Sequence, residues 1–375
     1  MKTQHAHRNL APGNLWTRWA LVMAAAIVSG ACATAASTVP PPPPPPVSGV
    51  PTPSIPSAPS PPSTPAAPVA REKLPDVFES QDFVVTFAKP GDTPATLAQR
   101  YLGDAGKAWM IEDYMGKQSF APGEEVVIPR QPWNLSGVTP SGYQIVPILV
   151  YHNLGPQQKG RMLLAAPKFE EQMRYLKSQG YRVVNLREFR QYIEGKRQLP
   201  QKAVVLSFDD GYKSFREYAE PILKELGFSA TLFVYTDYVG AGRNAVSWKD
   251  LRELKDAGFD IEAHSKTHGD LRRKQGESDA DYAARIRTEL QLPQNLFRQH
   301  LGEPAQTIAY PYGAWDDDLL KQVGQHGYLT AFTVRREANS AFVAPLKVHR
   351  SQIYGEMSLE EFARNLNVFH EERLK

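Results

Sequence analysis

The sequence predicts an α/β protein: a parallel barrel of alternating strands and helices, preceded by a small α+β module. Three observations carry this. Short apolar, β-branched runs alternate with amphipathic stretches from Ile145 to the C-terminus. Acidic residues and histidines stand just after two of those runs. A separate strand, helix, helix, strand pattern lies upstream of them, behind a proline-rich segment.

The chain of 375 residues opens with Lys2, Arg8 and Arg18 and then an apolar run from Trp19 to Val28. That run is short for a membrane span and fits the apolar core of a secretory signal covering 1–31. Cys32 is the only cysteine, so no internal disulfide framework exists. Its position after Ser29-Gly30-Ala31 matches the acylation site of an exported bacterial lipoprotein, whereas cleavage near Ala33–Ala36 would remove it. Ala33 rather than an aspartate beside it points to the outer membrane; the expected location is the bacterial periplasm or outer membrane, with a lipid anchor at Cys32. The formal charge of +3 belongs to the leader: beyond residue 31 there remain 40 basic and 40 acidic residues. A neutral balance of this kind excludes nothing as a fold but argues against nucleic acid as a partner.

Residues 32–75 form the next segment. Pro40–Pro68 is rich in Pro, Ser, Ala and Thr, with seven consecutive prolines from Pro40 to Pro46. Such a composition cannot bury a core and extends as polyproline II at roughly 3 Å per residue. It reads as a spacer. Residues 76–135 hold the upstream module: a strand at Asp82–Phe87, a Pro90-Gly91-Asp92-Thr93 turn, a helix through Leu97–Gly103, and a final strand within Pro122–Pro129. This pattern resembles a LysM module, a resemblance that implies binding to N-acetylglucosamine polymers.

The barrel region, 145–375, begins with a strand at Ile148–Tyr151. A helix over Lys168–Gln179 follows from the spacing of Phe169, Met173 and Leu176, and a buried strand from the unbroken run Ala203–Phe208. Helices at Ser214–Leu226 and Trp248–Ala257 alternate with strands at Ala230–Tyr235 and Phe259–Ala263; Ser247 with Asp250 gives the second helix its N-terminal cap. Thr307–Tyr310 is a further strand, Asp316–Asp318 opens a helix where the dipole favours acids, and Ser358 with Glu361 caps the last one.

The chemistry lies in Ser207-Phe208-Asp209-Asp210-Gly211 and His264-Ser265-Lys266-Thr267-His268. Each follows a predicted strand. One carboxylate and two imidazoles hold a divalent metal while leaving coordination positions open, the layout of a hydrolytic site, and the second aspartate is then free to act as a base. Zinc is the default; cobalt, nickel, manganese and iron(II) share these ligands.

These two stretches resemble the first and second motifs of the polysaccharide deacetylases, the NodB-like family of carbohydrate esterases. Val146–His152, Phe169–Leu186 and Ala309-Tyr310-Pro311-Tyr312-Gly313 resemble its poly-N-acetylglucosamine branch. The resemblance implies a distorted (β/α) barrel, with Asp210, His264 and His268 as metal ligands and Asp209 as general base. It also implies an oxyanion donor at the backbone N–H of Tyr312 and a general acid from a late Leu-x-His motif. Leu346-Lys347-Val348-His349 stands nearest that motif and nominates His349, one residue out of register; His152, after its apolar strand, is the alternative active-site histidine. Where relatives carry an arginine that orients the base, this chain has Ala309, which leaves the partner of Asp209 open. The implied activity is N-deacetylation of a peptidoglycan-like or poly-N-acetylglucosamine-like polysaccharide. A non-catalytic glycan-binding protein and an O-acetyl esterase are the competing expectations.

Overall fold

The computed structural model of the chain describes residues 76–373, so the expected leader, Cys32 and the proline-rich spacer lie outside the described residues. The first elements are β1 (Val77–Glu79), β2 (Phe83–Phe87), α1 (Pro94–Leu102), α2 (Ala108–Met115) and β3 (Glu125–Pro129). The strands pair antiparallel in the order β1-β2-β3. Thr93 caps α1 reciprocally with Thr96, Pro94 starts it, and Gly103 ends it at φ 71°. Asp92 of the preceding turn is tied to Arg100 at 2.7 Å. Val84, Leu97, Ala98, Ile111, Val126 and Ile128 fill a separate small core. The expected strand, helix, helix, strand order is present, with β1 as an unforeseen edge.

A short hairpin, β4 (Val138–Thr139) and β5 (Gly142–Gln144), leads into the barrel. Its elements follow as β6 (Ile148–Tyr151), β7 (Asn153–Gly155), β8 (Leu163–Ala165), α3 (Ala166–Ser178), β9 (Arg182–Val183), α4 (Leu186–Ile193) and β10 (Ala203–Phe208). Then come α5 (Glu220–Leu226), β11 (Thr231–Val234), α6 (Trp248–Asp256), β12 (Asp260–Ala263), α7 (Asp279–Leu301) and β13 (Thr307–Ala309). α8 (Asp317–Gln325), β14 (Thr330–Phe332), β15 (Ser351–Gln352), α9 (Leu359–Ala363) and β16 (Phe369–Glu371) complete the chain. One sheet runs β14-β13-β12-β11-β10-β6-β15, with β9 added beside β10, and every pair in it is parallel. It curls into a half-barrel, the distorted (β/α) barrel expected. β16 returns to pair with β5, tying the end of the chain to the entrance of the barrel.

Strand alternation divides the core in two. Val204, Leu206 and Phe208 of β10 join the large cluster under the helices, whereas Ala203 and Val205 join the inner cluster with Ile148, Phe233, Ala309, Phe332 and Val348. Fully burying one such side chain contributes about 1.5–3 kcal/mol, so the register of β10 is strongly specified. The expected helices are found close to their predicted bounds, and the predicted caps at Ser247 and Ser358 are reciprocal boxes. Among the helices three features differ. The predicted helix from Ser214 begins as a π turn at Phe215–Ala219 before α5. α4 and α7 were not among the expected elements; in α7, the longest of the described helices at 23 residues, Pro293 interrupts the sequence signal.

The upstream module rests on the barrel. Arg182 of β9 pairs with Glu112 of α2 at 2.5 Å, the Gln201 N–H donates to Asp113 at 2.8 Å, and Gln198 accepts from the N–H groups of Trp133 and Asn134.

Candidate metal centre and active site

β6, β10, β12 and β13 are parallel, so the residues that follow them, His152, Asp209, His264 and Tyr310–Tyr312, emerge at one end of the barrel. Asp209 continues the inward alternation of Ala203, Val205 and Ser207. Asp210, the next residue, adopts φ 77°, and this left-handed turn lets its side chain share the same cavity. Among the described residues, four non-glycine residues have positive φ: Asp210, Ser265, His268 and Tyr312. All four lie in the predicted motifs. Such conformations cost of order 1–3 kcal/mol each and persist where the surrounding structure enforces them, typically at functional sites.

The structure brings Asp210, His264 and His268 together, with one ligand atom from each lying within 4.8 Å of the others. Asp210 Oδ1 is 3.3 Å from His268 Nε2 and 3.6 Å from His264 Nε2. It is buried without a hydrogen-bond partner. His264 Nδ1 faces the Ala309 carbonyl at 2.8 Å; as donor to that carbonyl it leaves the Nε2 lone pair free toward Asp210. An orphaned carboxylate oxygen and an oriented imidazole fit a divalent cation. The loop carrying the histidines is anchored by Glu289 of α7, which accepts the N–H groups of Lys266 and Thr267 and the Thr267 hydroxyl, while Ser265 Oγ accepts the His268 N–H.

The open question left by Ala309 is answered by Arg350. This side chain is fully buried and grips Asp209 with two bonds, Nη1 to Oδ1 at 2.7 Å and Nη2 to Oδ2 at 2.8 Å, while its Nε donates to the Thr333 carbonyl. Burial pushes the Asp209 carboxyl up, but the Arg350 guanidinium and His264 more than offset this and hold it at about 2. Burial likewise opposes ionisation of Asp210, which His268 and His264 overcome to keep it below the usual carboxylate range.

His349 is the correction. Val348 belongs to the inner cluster and Arg350 points inward, so by alternation His349 faces the other way, where its Nδ1 lies 3.1 Å from Glu337 and its N–H is held by Asn339. It does not reach the carboxylate pair. His152 does lie in their field: burial lowers its imidazole below the ordinary range while Asp209 and Asp210 pull it up. Its Nδ1 is buried and unpartnered. Tyr312, at φ 60° and 67 % exposed, packs its ring edge-on to His268 at 4.8 Å.

Arg350 and Glu289 were not among the expected site residues. Arg350 sits two residues after inward Val348 and immediately before β15, and only that alternation could have nominated it.

A family model described as Polysaccharide deacetylase matches residues 196–331. The Bacillus subtilis protein YxkH is 27 % identical over 218 residues, covering 58 % of this chain and 74 % of its own length. A poly-beta-1,6-N-acetyl-D-glucosamine N-deacetylase of Staphylococcus aureus (strain MRSA252) is 31 % identical over 178 residues, which is 46 % of this chain and 61 % of the relative. The chain thus spans less than two thirds of that relative. Among solved structures, the Streptococcus pyogenes deacetylase PplD in complex with acetate superposes with a TM-score of 0.54 at 25 % identity, covering 60 % of this chain and 100 % of its own. The half-barrel with its Asp-Asp and His-x-x-x-His strand ends is a NodB-like domain of the polysaccharide deacetylase family, hydrolases of carbon–nitrogen bonds other than peptide bonds.

Proposed function

We propose that this protein is a metal-dependent N-deacetylase that removes acetyl groups from an N-acetylglucosamine-containing polysaccharide of the cell envelope or an exported one. The observation that carries the reading is the convergence at one barrel end of a base fixed by a buried arginine, Asp209, with the three-residue ligand set Asp210, His264 and His268. A bound divalent ion, zinc by default, supplies Lewis acidity toward the acetamide carbonyl and toward water.

The protein's own groups do the rest. Asp209 takes the proton of the attacking water, and Arg350 fixes the carboxylate's orientation and keeps it ionised. The Tyr312 N–H, presented by the strained turn after β13, donates to the oxyanion as it develops. His152 is buried with an unpartnered Nδ1 near the carboxylates, whose charge favours the protonated imidazole that burial opposes; in that protonated form it delivers a proton to the departing amine nitrogen as the C–N bond breaks, giving acetate and a free glucosamine residue. The carboxylate clamp disfavours a purely glycan-binding role, for which a buried, paired base serves no purpose.

Export, a lipid anchor at Cys32 and glycan binding by the LysM-like module (76–135) belong to the same proposal. They describe an enzyme tethered at a membrane whose spacer lets it reach a polymer. Cys32→Ser is expected to move the protein from the membrane fraction to the soluble one. The deciding experiment measures acetate release by the purified protein from N-acetylglucosamine oligomers, peptidoglycan and an O-acetylated glycan, with chelator and with zinc restored. Release from the N-acetylated substrates that chelator abolishes and zinc restores supports the deacetylase. Release from the O-acetylated glycan alone would replace it with the esterase, and no release with any metal would overturn the enzymatic reading.

A further inference from the structure

The curled sheet has a seam between its two edges, and the segment that carries Arg350 crosses it. Val348 bridges Phe332 of β14 at one edge, whereas Ser351 and Gln352 of β15 pair with Leu149 and Val150 of β6 at the other. His349 and Arg350 lie between, where the segment has left one neighbour and only begins to join the next. A strand owes its register to a ladder of backbone bonds, and here that ladder changes sides.

A side chain fills the gap. Asn339 is 1 % exposed; its Oδ1 accepts the His349 N–H at 2.8 Å and its Nδ2 donates to the His349 carbonyl at 2.9 Å. Nδ2 also reaches the Val146 carbonyl at 3.2 Å, and the main chains of Asn339 and Val146 exchange bonds of 2.8 and 2.9 Å just before β6. Asn339 is thus anchored to the strand that the crossing segment must meet. An amide carries donor and acceptor on one planar group and so satisfies both halves of a residue's backbone. A carboxylate of the same shape has no donor, and an aliphatic chain has neither.

The His349 carbonyl belongs to the peptide bond that begins Arg350, so its orientation sets the direction in which the Arg350 side chain leaves the main chain. From there the guanidinium passes Phe233, 5.2 Å from the ring centre, and its Nε donates to the Thr333 carbonyl at 3.0 Å on the way to Asp209. A two-bond grip on a carboxylate tolerates little rotation, and a misplacement of about 1 Å near reacting groups can cost about 10²-fold in rate. Resting on the deacetylase reading of the site, we infer that Asn339 is a positioning residue for the base: by clipping the main chain at the seam it fixes the guanidinium that orients Asp209.

The test has a kinetic arm and an exchange arm, both on the full chain with zinc present. Asn339→Leu keeps the shape and removes the bonds; where it fails to fold, Asn339→Asp, which retains the acceptor for the His349 N–H, takes its place. In the kinetic arm, acetate release from a β-1,6-linked N-acetylglucosamine pentamer is expected to fall about tenfold in kcat, with KM within about twofold and zinc content unchanged. In the background of Arg350→Lys, which keeps the buried charge but not the two-bond grip, the same substitution is expected to change kcat by less than about twofold. An equal fall in both backgrounds overturns the positioning role. The exchange arm follows the Arg350 Nε–H, identified by its absence from the arginine side-chain region of the nitrogen–proton spectrum of Arg350→Lys. Its hydrogen exchange is expected to be about tenfold faster or more in the Asn339 variant, while the amides of β11 keep the parent's rates. Acceleration of both is a general loosening and overturns the role, as does acceleration of neither. Selective acceleration at Arg350, in a protein whose parent releases no acetate with any metal, keeps the hold of Asn339 on Arg350 and overturns the deacetylase reading, so the two failures are distinct.

Discussion

Arg350 and Asp209 form the most consequential pair in the molecule, because each is buried and each is charged only safely in the other's company. Removing the guanidinium by Arg350→Ala leaves a buried carboxylate unopposed, which destabilises by about 3–5 kcal/mol and is read as a lower denaturation midpoint. The same variant raises the Asp209 pKa, since burial is then opposed by the histidines His264 and His152 without the guanidinium; more of the base is protonated at a given pH, and the acid limb of the pH–rate profile moves to higher pH. Asp209→Asn is expected to retain zinc, by elemental analysis, and to lose about 10²–10⁴ in kcat. His264→Ala loses metal and turnover together. His152→Ala and His349→Ala separate the two histidines: the first lowers kcat, while the second, facing Glu337, leaves it within about twofold of the parent. Loss of activity in His349→Ala with normal folding would return the acid role to that residue.

The elements that carry these residues do so by strand polarity and by caps. β10 and β12 end where the ligands begin, and the turns after them are held by backbone bonds and by Glu289 of α7. Glu289→Ala, remote from the chemistry, is expected to lower zinc affinity by about tenfold or more, measured by competition with a chromogenic chelator. At the joint between module and barrel, burial pushes Asp113 up to about 6 although the Gln201 N–H favours its charged form. Its folded pKa exceeds the unfolded value, so the folded state binds more protons between about 4 and 6, and stability falls as pH rises through that window. Asp113→Asn therefore flattens the decline in melting temperature between pH 4 and pH 7, a change visible by differential scanning calorimetry.

Across the whole molecule, one inward-curled parallel sheet gathers side chains from distant parts of the sequence. Asp209 and Arg350 are 141 residues apart in the chain and 2.7 Å apart in space. β16 pairs with β5 beside the barrel entrance, so the last strand helps hold the hairpin that leads into the barrel. Truncation before Phe369 is expected to lower the melting temperature, with the ligand set Asp210, His264 and His268 intact and zinc still bound.

Residue type and spacing made the half-barrel, the aspartate pair and the two histidines legible. The buried strand at Ala203–Phe208 shows as an unbroken apolar run with Gly211 breaking the pattern just beyond it, and a ligand pair four residues apart declares itself locally. Caps at Ser247 and Ser358 were equally local, satisfied within three residues. Partners across the barrel obey no such rule. Arg350 in place of an arginine at 309, the outward turn of His349 and the anchor from α7 depend on which strands lie side by side and which face each residue takes. Those are properties of the curled sheet, because the Coulomb and packing terms that select them act through space between segments the sequence keeps far apart.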